Sequence, residues 1–144
     1  MKSFPLFICL MVLLLITSGC EEGEDVPLTK LEGTYVGSFQ RIVDNDPGPV
    51  SQVTLTFASN TWQGQSDTPR YPALCKGTYE IRGSKIIFEN SCFFTADFDW
   101  SLILKGEFEV KHISNTVTFT KVYPGATTQI IDIYTLHPEG VTNL

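Results

Sequence analysis

From residue 33 onward the chain alternates apolar and polar side chains with a period of two. Nothing after residue 28 carries the i, i+3, i+4 spacing of an amphipathic helix. Such a pattern buries its apolar side only as sheet, because successive strand side chains point to opposite faces. Tyr35, Gly37 and Phe39 alternate with mostly polar neighbours over 33–41, and Val53, Leu55 and Phe57 with Gln52, Thr54 and Thr56 over 52–57. Trp62 centres a short segment, 60–64. Tyr79 and Ile81 mark 75–82, and Ile86 and Phe88 mark 85–90. Over 102–112, Leu102, Leu104, Phe108 and Val110 alternate with Lys105, Glu107, Glu109 and Lys111; over 116–121, Val117 and Phe119 alternate with threonines. The last segment, 129–136, leaves its facing open because Ile130 and Ile131 are adjacent. The eight segments are β-branched and aromatic, as strands are.

The connections between them alternate in length. Long ones are expected at 42–51, 65–74, 91–101 and 122–128; short ones at Ala58-Ser59, Gly83-Ser84 and 113–115. In an up-and-down meander, successive connections fall at opposite ends. The long loops therefore share one end and the tight turns share the other. Eight such strands close into an antiparallel up-and-down barrel, which removes sheet edges and has room for one small ligand. Strand parity also puts both chain termini at the tight-turn end.

Arg82-Gly83-Ser84-Lys85 reads as a two-residue hairpin, with glycine at the first central position of a type II′ turn. This register opposes Ile81 to Ile86, Tyr79 to Phe88, Gly77 to Asn90 and Cys75 to Cys92. Counted outward from the closing pair, the cysteines fall on a non-hydrogen-bonded pair. There the Cα atoms sit about 4.5 Å apart, within the disulfide range of roughly 4.4–6.8 Å. A Cys75–Cys92 disulfide is therefore expected, pinning the roots of the 65–74 and 91–101 loops and contributing about 3 kcal/mol at most. A metal site is not expected: His112 and His137 are the only histidines, and their spacing does not match a zinc site.

The first residues carry an address. Lys2 is followed by an apolar run over 6–16, then Thr17-Ser18-Gly19 and Cys20. The run is shorter than the about 20 apolar residues that span a bilayer, so it reads as a secretory signal. Ser18-Gly19-Cys20 resembles the lipobox of bacterial lipoproteins. The resemblance implies cleavage before Cys20 and acylation, hence palmitate-type chains, at that cysteine. Glu21-Glu22-Gly23-Glu24-Asp25 resembles the acidic export signal of Bacteroidetes surface lipoproteins and also reads as a solvated tether. The expected layout is a signal peptide over 1–19, a lipidated cysteine and tether over 20–28, a barrel domain over 29–138 and a tail over 139–144. The expected location is the outer membrane, with either face open. Losing Lys2 takes the formal net charge from −6 to −7. An acidic chain without a basic cluster is a poor match for nucleic acid.

Function is less legible. The 92–100 loop holds Phe93, Phe94, Phe98 and Trp100, which read either as a hydrophobic lid or portal, or as an inward plug; the plug is favoured. Asp97-x-Asp99 and Asp44-x-Asp46 read as turn carboxylates, not as a calcium loop. No nucleophile stands beside an oriented base, so no catalytic residue and no cofactor are expected. Leu31-Glu32-Gly33-Thr34-Tyr35, the regular hairpins and the closing Tyr134-Thr135-Leu136 resemble the calycin superfamily of lipocalin-like barrels. That resemblance implies a barrel that binds a small apolar ligand. The candidate lining is the aromatic inner face, Tyr35, Phe39, Phe57, Trp62, Tyr79, Phe88, Phe108 and Phe119, with Phe94 and Trp100 at the mouth. The alternative is a protein-interaction module, an inhibitor or accessory subunit, that presents the long loops to a partner. Interior volume separates the two readings.

Overall fold

The computed structural model describes residues 26–95, 97–125 and 127–140. The signal segment, Cys20 and the acidic run 21–25 lie outside the described residues. Eight strands follow in order: β1 Gly33–Val43, β2 Asp46–Ala58, β3 Thr61–Ser66, β4 Lys76–Arg82, β5 Lys85–Asn90, β6 Gly106–Ile113, β7 Thr116–Tyr123 and β8 Ile130–Pro138. Each pairs antiparallel with its sequence neighbour, and β8 returns to β1, closing an up-and-down barrel.

The two faces of each strand follow the period-two pattern. Phe39, Phe57, Trp62, Phe88, Phe108, Phe119 and Tyr134 are buried inside, with Leu55, Ile86 and Leu136. Phe88 on β5 meets Phe119 on β7 at 5.4 Å and Phe57 on β2 at 6.5 Å between ring centroids. Those strands are not neighbours, so the rings touch across the lumen. Phe108–Tyr134 at 5.9 Å and Phe39–Tyr134 at 4.8 Å carry the stack to β1. Burying each such side chain contributes about 1.5–3 kcal/mol. An eight-stranded barrel is just wide enough for side chains to fill it, and these aromatics do so. Gly37 sits where β1 closes against β8; a Cβ there would lie 1.9 Å from the Thr135 carbonyl oxygen.

The tight-turn end is sealed by the chain's own lead-in. Leu31 is fully buried, and its N–H donates to the Tyr79 hydroxyl at 3.2 Å. That hydroxyl has one proton to donate, with Leu31 O at 2.7 Å and Ser59 O at 3.0 Å both in reach. Val26 N–H bonds to His112 O, and Glu139 N–H to Thr34 O, so both ends of the described chain sit at this pole. The parity expectation holds.

The outer surface is divided in charge. Outward positions on β4, β5 and β6 include Glu80, Arg82, Lys85, Glu89, Glu107, Glu109 and Lys111, with ion pairs Arg82–Glu80 and Lys85–Glu107. Exposed positions on β7, β8, β1, β2 and β3 carry no Asp, Glu, Lys or Arg apart from Asp46 at the start of β2. The outward residues there run in rows such as Thr120–Ile133–Gln40–Val50 and Thr118–Thr135–Ser38–Gln52.

Three expectations need correction. The 42–51 segment is no long loop. β1 and β2 run on to a two-residue turn at Asp44-Asn45, whose φ values of 49° and 68° match the strand-compatible hairpin turn. Pro47 and Pro49 lie where β2 pairs with β1 alone, because β3 joins only from Val53. A proline on such a free edge costs no ladder bond. The sixth strand starts at Gly106, not Leu102. Trp100–Leu102 forms a 3₁₀ turn, and the Leu102/Leu104 alternation belongs to a connection, not to a strand. Finally, Cys75 and Cys92 are disulfide-bonded as expected, but their Cα atoms are 6.3 Å apart, not 4.5 Å. The ladder ends at the Ser91 N–H to Lys76 O bond, and the Asn90 amide then caps the backbone of Cys92, widening the pair.

Candidate binding surface at the open end of the barrel

Two long loops close the other pole. Ala73 bridges Ile103 in parallel; Ala73 N–H donates to Leu102 O at 3.0 Å and Leu104 N–H to Ala73 O at 3.2 Å. The 67–75 and 91–105 connections are thereby stitched together over the mouth. Tyr71 packs edge-on against Phe39 at 5.2 Å, and Leu74 and Leu102 pack on the core below. Ile103 and Leu104 are buried. The expected plug by the aromatics of the 92–100 loop is not what closes the mouth: Tyr71, Leu74 and the aliphatic residues after the aromatic run do so.

The aromatics of that run stay outside the core cluster. Phe94 meets Phe98 edge-on at 5.6 Å, Phe98 stacks on Trp100 at 6.2 Å, and the Arg70 guanidinium lies 5.6 Å above Phe98. Phe93 is 98% exposed and Trp100 53%. A short aromatic ladder thus lines the rim, with a phenyl ring in solvent at its edge. The disulfide holds the start of this loop, and Asp99 holds its end.

Asp99 belongs to an ion network that sequence reasoning missed. Arg41 continues the inward parity of Tyr35, Gly37 and Phe39, and Asp132 that of Tyr134 and Leu136; each is at most 6% exposed. Asp132 grips Arg41 by both oxygens, Nε at 2.6 Å and Nη2 at 2.7 Å. Arg41 Nη1 reaches out to Asp99 at 2.7 Å and Ser101 Oγ at 2.9 Å. Tyr123 stacks under the guanidinium at 5.5 Å and donates to Ser101 O at 2.8 Å. Burial works against the Arg41 charge, but the hydrogen bond to Asp132 and the charges of Asp132 and Asp99 outweigh it, so its pKa is raised. Ser101's hydrogen bond is the main cause holding Asp99 below the usual carboxylate value, with Arg41 adding to it. Asp99 also accepts the Ser101 N–H at 2.9 Å, capping the 3₁₀ turn. Lys121 lies over Phe108 and Tyr123 and donates to Lys105 O at 2.9 Å; burial pushes its pKa down. Inward parity of Arg41 and Asp132 was the available signal for this network; Asp99, in a loop, offered none.

Tyr35, Phe39, Phe57, Trp62, Tyr79, Phe88, Phe108 and Phe119 do converge inside the barrel, Tyr35 half-buried and edge-on to Phe57 at 5.6 Å. Phe94 and Trp100 sit apart from them at the rim. None of the five described cavities is lined by the cross-lumen rings Phe57, Phe88, Phe108, Phe119 and Tyr134. Among the described residues, no three His, Cys, Asp or Glu side chains gather as a metal site. Asp44, of the acidic pair at the β1–β2 turn, bonds Gln129 of the facing loop through backbone and side chain. In comparison with known proteins, the chain matches no family model, no curated protein and no solved structure.

Proposed function

We propose that this protein is an envelope-tethered, non-catalytic binding module that engages a protein partner through the open-end loops. One observation carries the reading. The rings meet across the lumen and two stitched loops cover the mouth, while Phe93 and Trp100 are held outward on the 91–101 loop. Exposed apolar side chains rimmed by polar ones characterise interaction surfaces, and aromatics are the side chains that anchor them. The loop is pre-ordered at both roots, by the disulfide and by the Arg41–Asp99 pair, which lowers the ordering cost of association. A small apolar ligand inside the barrel would instead have to part the ring stack and lift the loops. The lipobox resemblance at Ser18-Gly19-Cys20 supports the tether, and parity then aims the aromatic loop away from the membrane.

The test is site-specific photocrosslinking in the native envelope. A crosslinker replacing Phe93 is expected to yield a discrete protein adduct, and one replacing Lys111, on the charged flank, is not. Absence of an adduct at 93, together with a small molecule retained in native mass spectrometry of the membrane-purified protein, would overturn the proposal in favour of the ligand-carrier reading.

A further inference from the structure

The flank of the barrel carries a second surface, independent of the open end. A soluble surface is well served by about 25–35% charged side chains, yet the exposed positions of five consecutive strands, β7, β8, β1, β2 and β3, hold only Asp46, at the open-end start of β2. Where this neutral face meets β4, the sheet opens. β3 and β4 pair only through Thr61–Thr78, Trp62–Gly77 and Gln63–Lys76. After the Gly64 N–H to Cys75 O bond the two strands part. A groove of about 410 Å³ lies over the paired stretch and one of about 580 Å³ over the parting; they adjoin and share Thr56, Gln63 and Lys76. Each falls within the usual size of a ligand site, about 300–1,000 Å³.

The groove is almost uncharged, its walls part apolar, with Ala58 and Leu74, and part polar. Gln63 and Gln65 project from β3 into solvent, and no described residue hydrogen-bonds their amides. Each amide brings an acceptor oxygen and two donor hydrogens. Thr54 adds a hydroxyl, and Lys76, exposed and in no described salt bridge, is the sole cation of the lining. One ammonium is too few for a polyanion such as nucleic acid. The hydroxyls and amides would be left unpaired by an apolar guest, at a desolvation penalty. An added peptide strand needs a free backbone edge, and the Gly64 N–H is already bonded to Cys75. A chain of uncharged, hydroxyl-bearing units satisfies the lining, and a groove on a convex barrel wall lets a long polymer pass across it. We propose that the β2–β3–β4 groove binds a neutral polysaccharide, its hydroxyls bonding Gln63, Gln65, Thr54 and Lys76.

Affinity electrophoresis tests this on the mature protein, in native gels containing dextran, laminarin, mannan or xylan, with alginate as the acidic control. At least one neutral polymer is expected to retard the protein, with little change between low and high salt. The double variant Gln63→Ala/Gln65→Ala, altered only at exposed positions, is expected to lose about tenfold in affinity through its missing hydrogen bonds. Phe93→Asp, at the other surface, is expected to keep full retardation. No retardation by any neutral polymer, retardation by alginate alone, or retardation unchanged in the double variant would each overturn the proposal. Loss in Phe93→Asp but not in the double variant would move the glycan to the open end and overturn the groove.

Discussion

Arg41 and Asp132 form a buried ion pair beside a core of rings and aliphatic side chains, and the consequence of breaking it depends on how it is broken. Asp132→Ala leaves a guanidinium in the barrel with only the exposed Asp99 to balance it. The expected loss is about 3–5 kcal/mol of unfolding free energy in urea titration. Replacing both partners, Arg41→Met with Asp132→Leu, is expected to recover most of that loss, because the desolvation of both charges disappears together. Asp99 behaves differently, since its side chain is half in solvent. Its pKa is lowered in the folded state from the ordinary 3.8, first by Ser101 and further by Arg41. A lowered carboxyl stabilises the fold above the unfolded value and loses that contribution as pH falls through the folded one. Below pH 3.8 the 3₁₀ cap is therefore expected to loosen before the barrel does. A change in Trp100 fluorescence should report it, and Asp99→Asn should show the loosened signal already at neutral pH. An acid transition in Trp100 unaltered by Asp99→Asn would refute the assignment.

At the scale of elements, hairpins were the most legible part of the chain. Gly83-Ser84 set a register that the structure reproduces pair by pair, from Arg82–Lys85 to Gly77–Asn90. The disulfide followed from that register and from the shared parity of the cysteines. Both thiols are expected to resist alkylation until reduced. Cys92→Ser, measured by calorimetry, is expected to lower Tm by about 5–10 °C. Hydrogen exchange should quicken first at the roots of the 67–75 and 91–105 connections. Thiols that titrate freely in the unreduced protein would contradict the pairing. Where elements were misread, the deciding circumstance lay outside the local sequence. Pro47 and Pro49 sit in β2 because no strand needs their missing N–H groups. Leu102 and Leu104 alternate like a strand but are held by Ala73, roughly thirty residues earlier.

For the whole molecule, the alternation of turns and the parity of strands decide polarity. The described ends of the chain sit at the pole of Leu31 and Tyr79, opposite the Phe93 loop. With the proposed lipid at Cys20, only the five residues 21–25 separate it from Val26, which bonds to His112 O on the barrel, and five residues reach at most about 18 Å. Cys20→Ser is expected to release the protein from the membrane fraction, since multiple acyl chains hold where one does not. Retention of that variant through a high-salt wash would exclude the anchor. In the lipidated protein, a fluorophore at Ser114 should be quenched by lipid-borne spin labels more strongly than one at Phe93. The reverse order would invert the orientation.

What the sequence determined by itself is what repeats locally: the two-residue period, the strand count, the β4–β5 turn and its disulfide, and the set of rings that face inward. Each depends on neighbours a few residues apart, so each can be read along the chain. What only the tertiary structure decided is what those rings do to the lumen and what covers its mouth. Phe88 is separated from Phe57 and Phe119 by roughly thirty residues on either side, and whether such rings enclose a cavity or fill it depends on barrel radius and ring tilt. The union of Arg41, Asp99 and Asp132 and the neutral flank across β7, β8 and β1 come from closure, which sets β8 beside β1 although they stand at opposite ends of the domain.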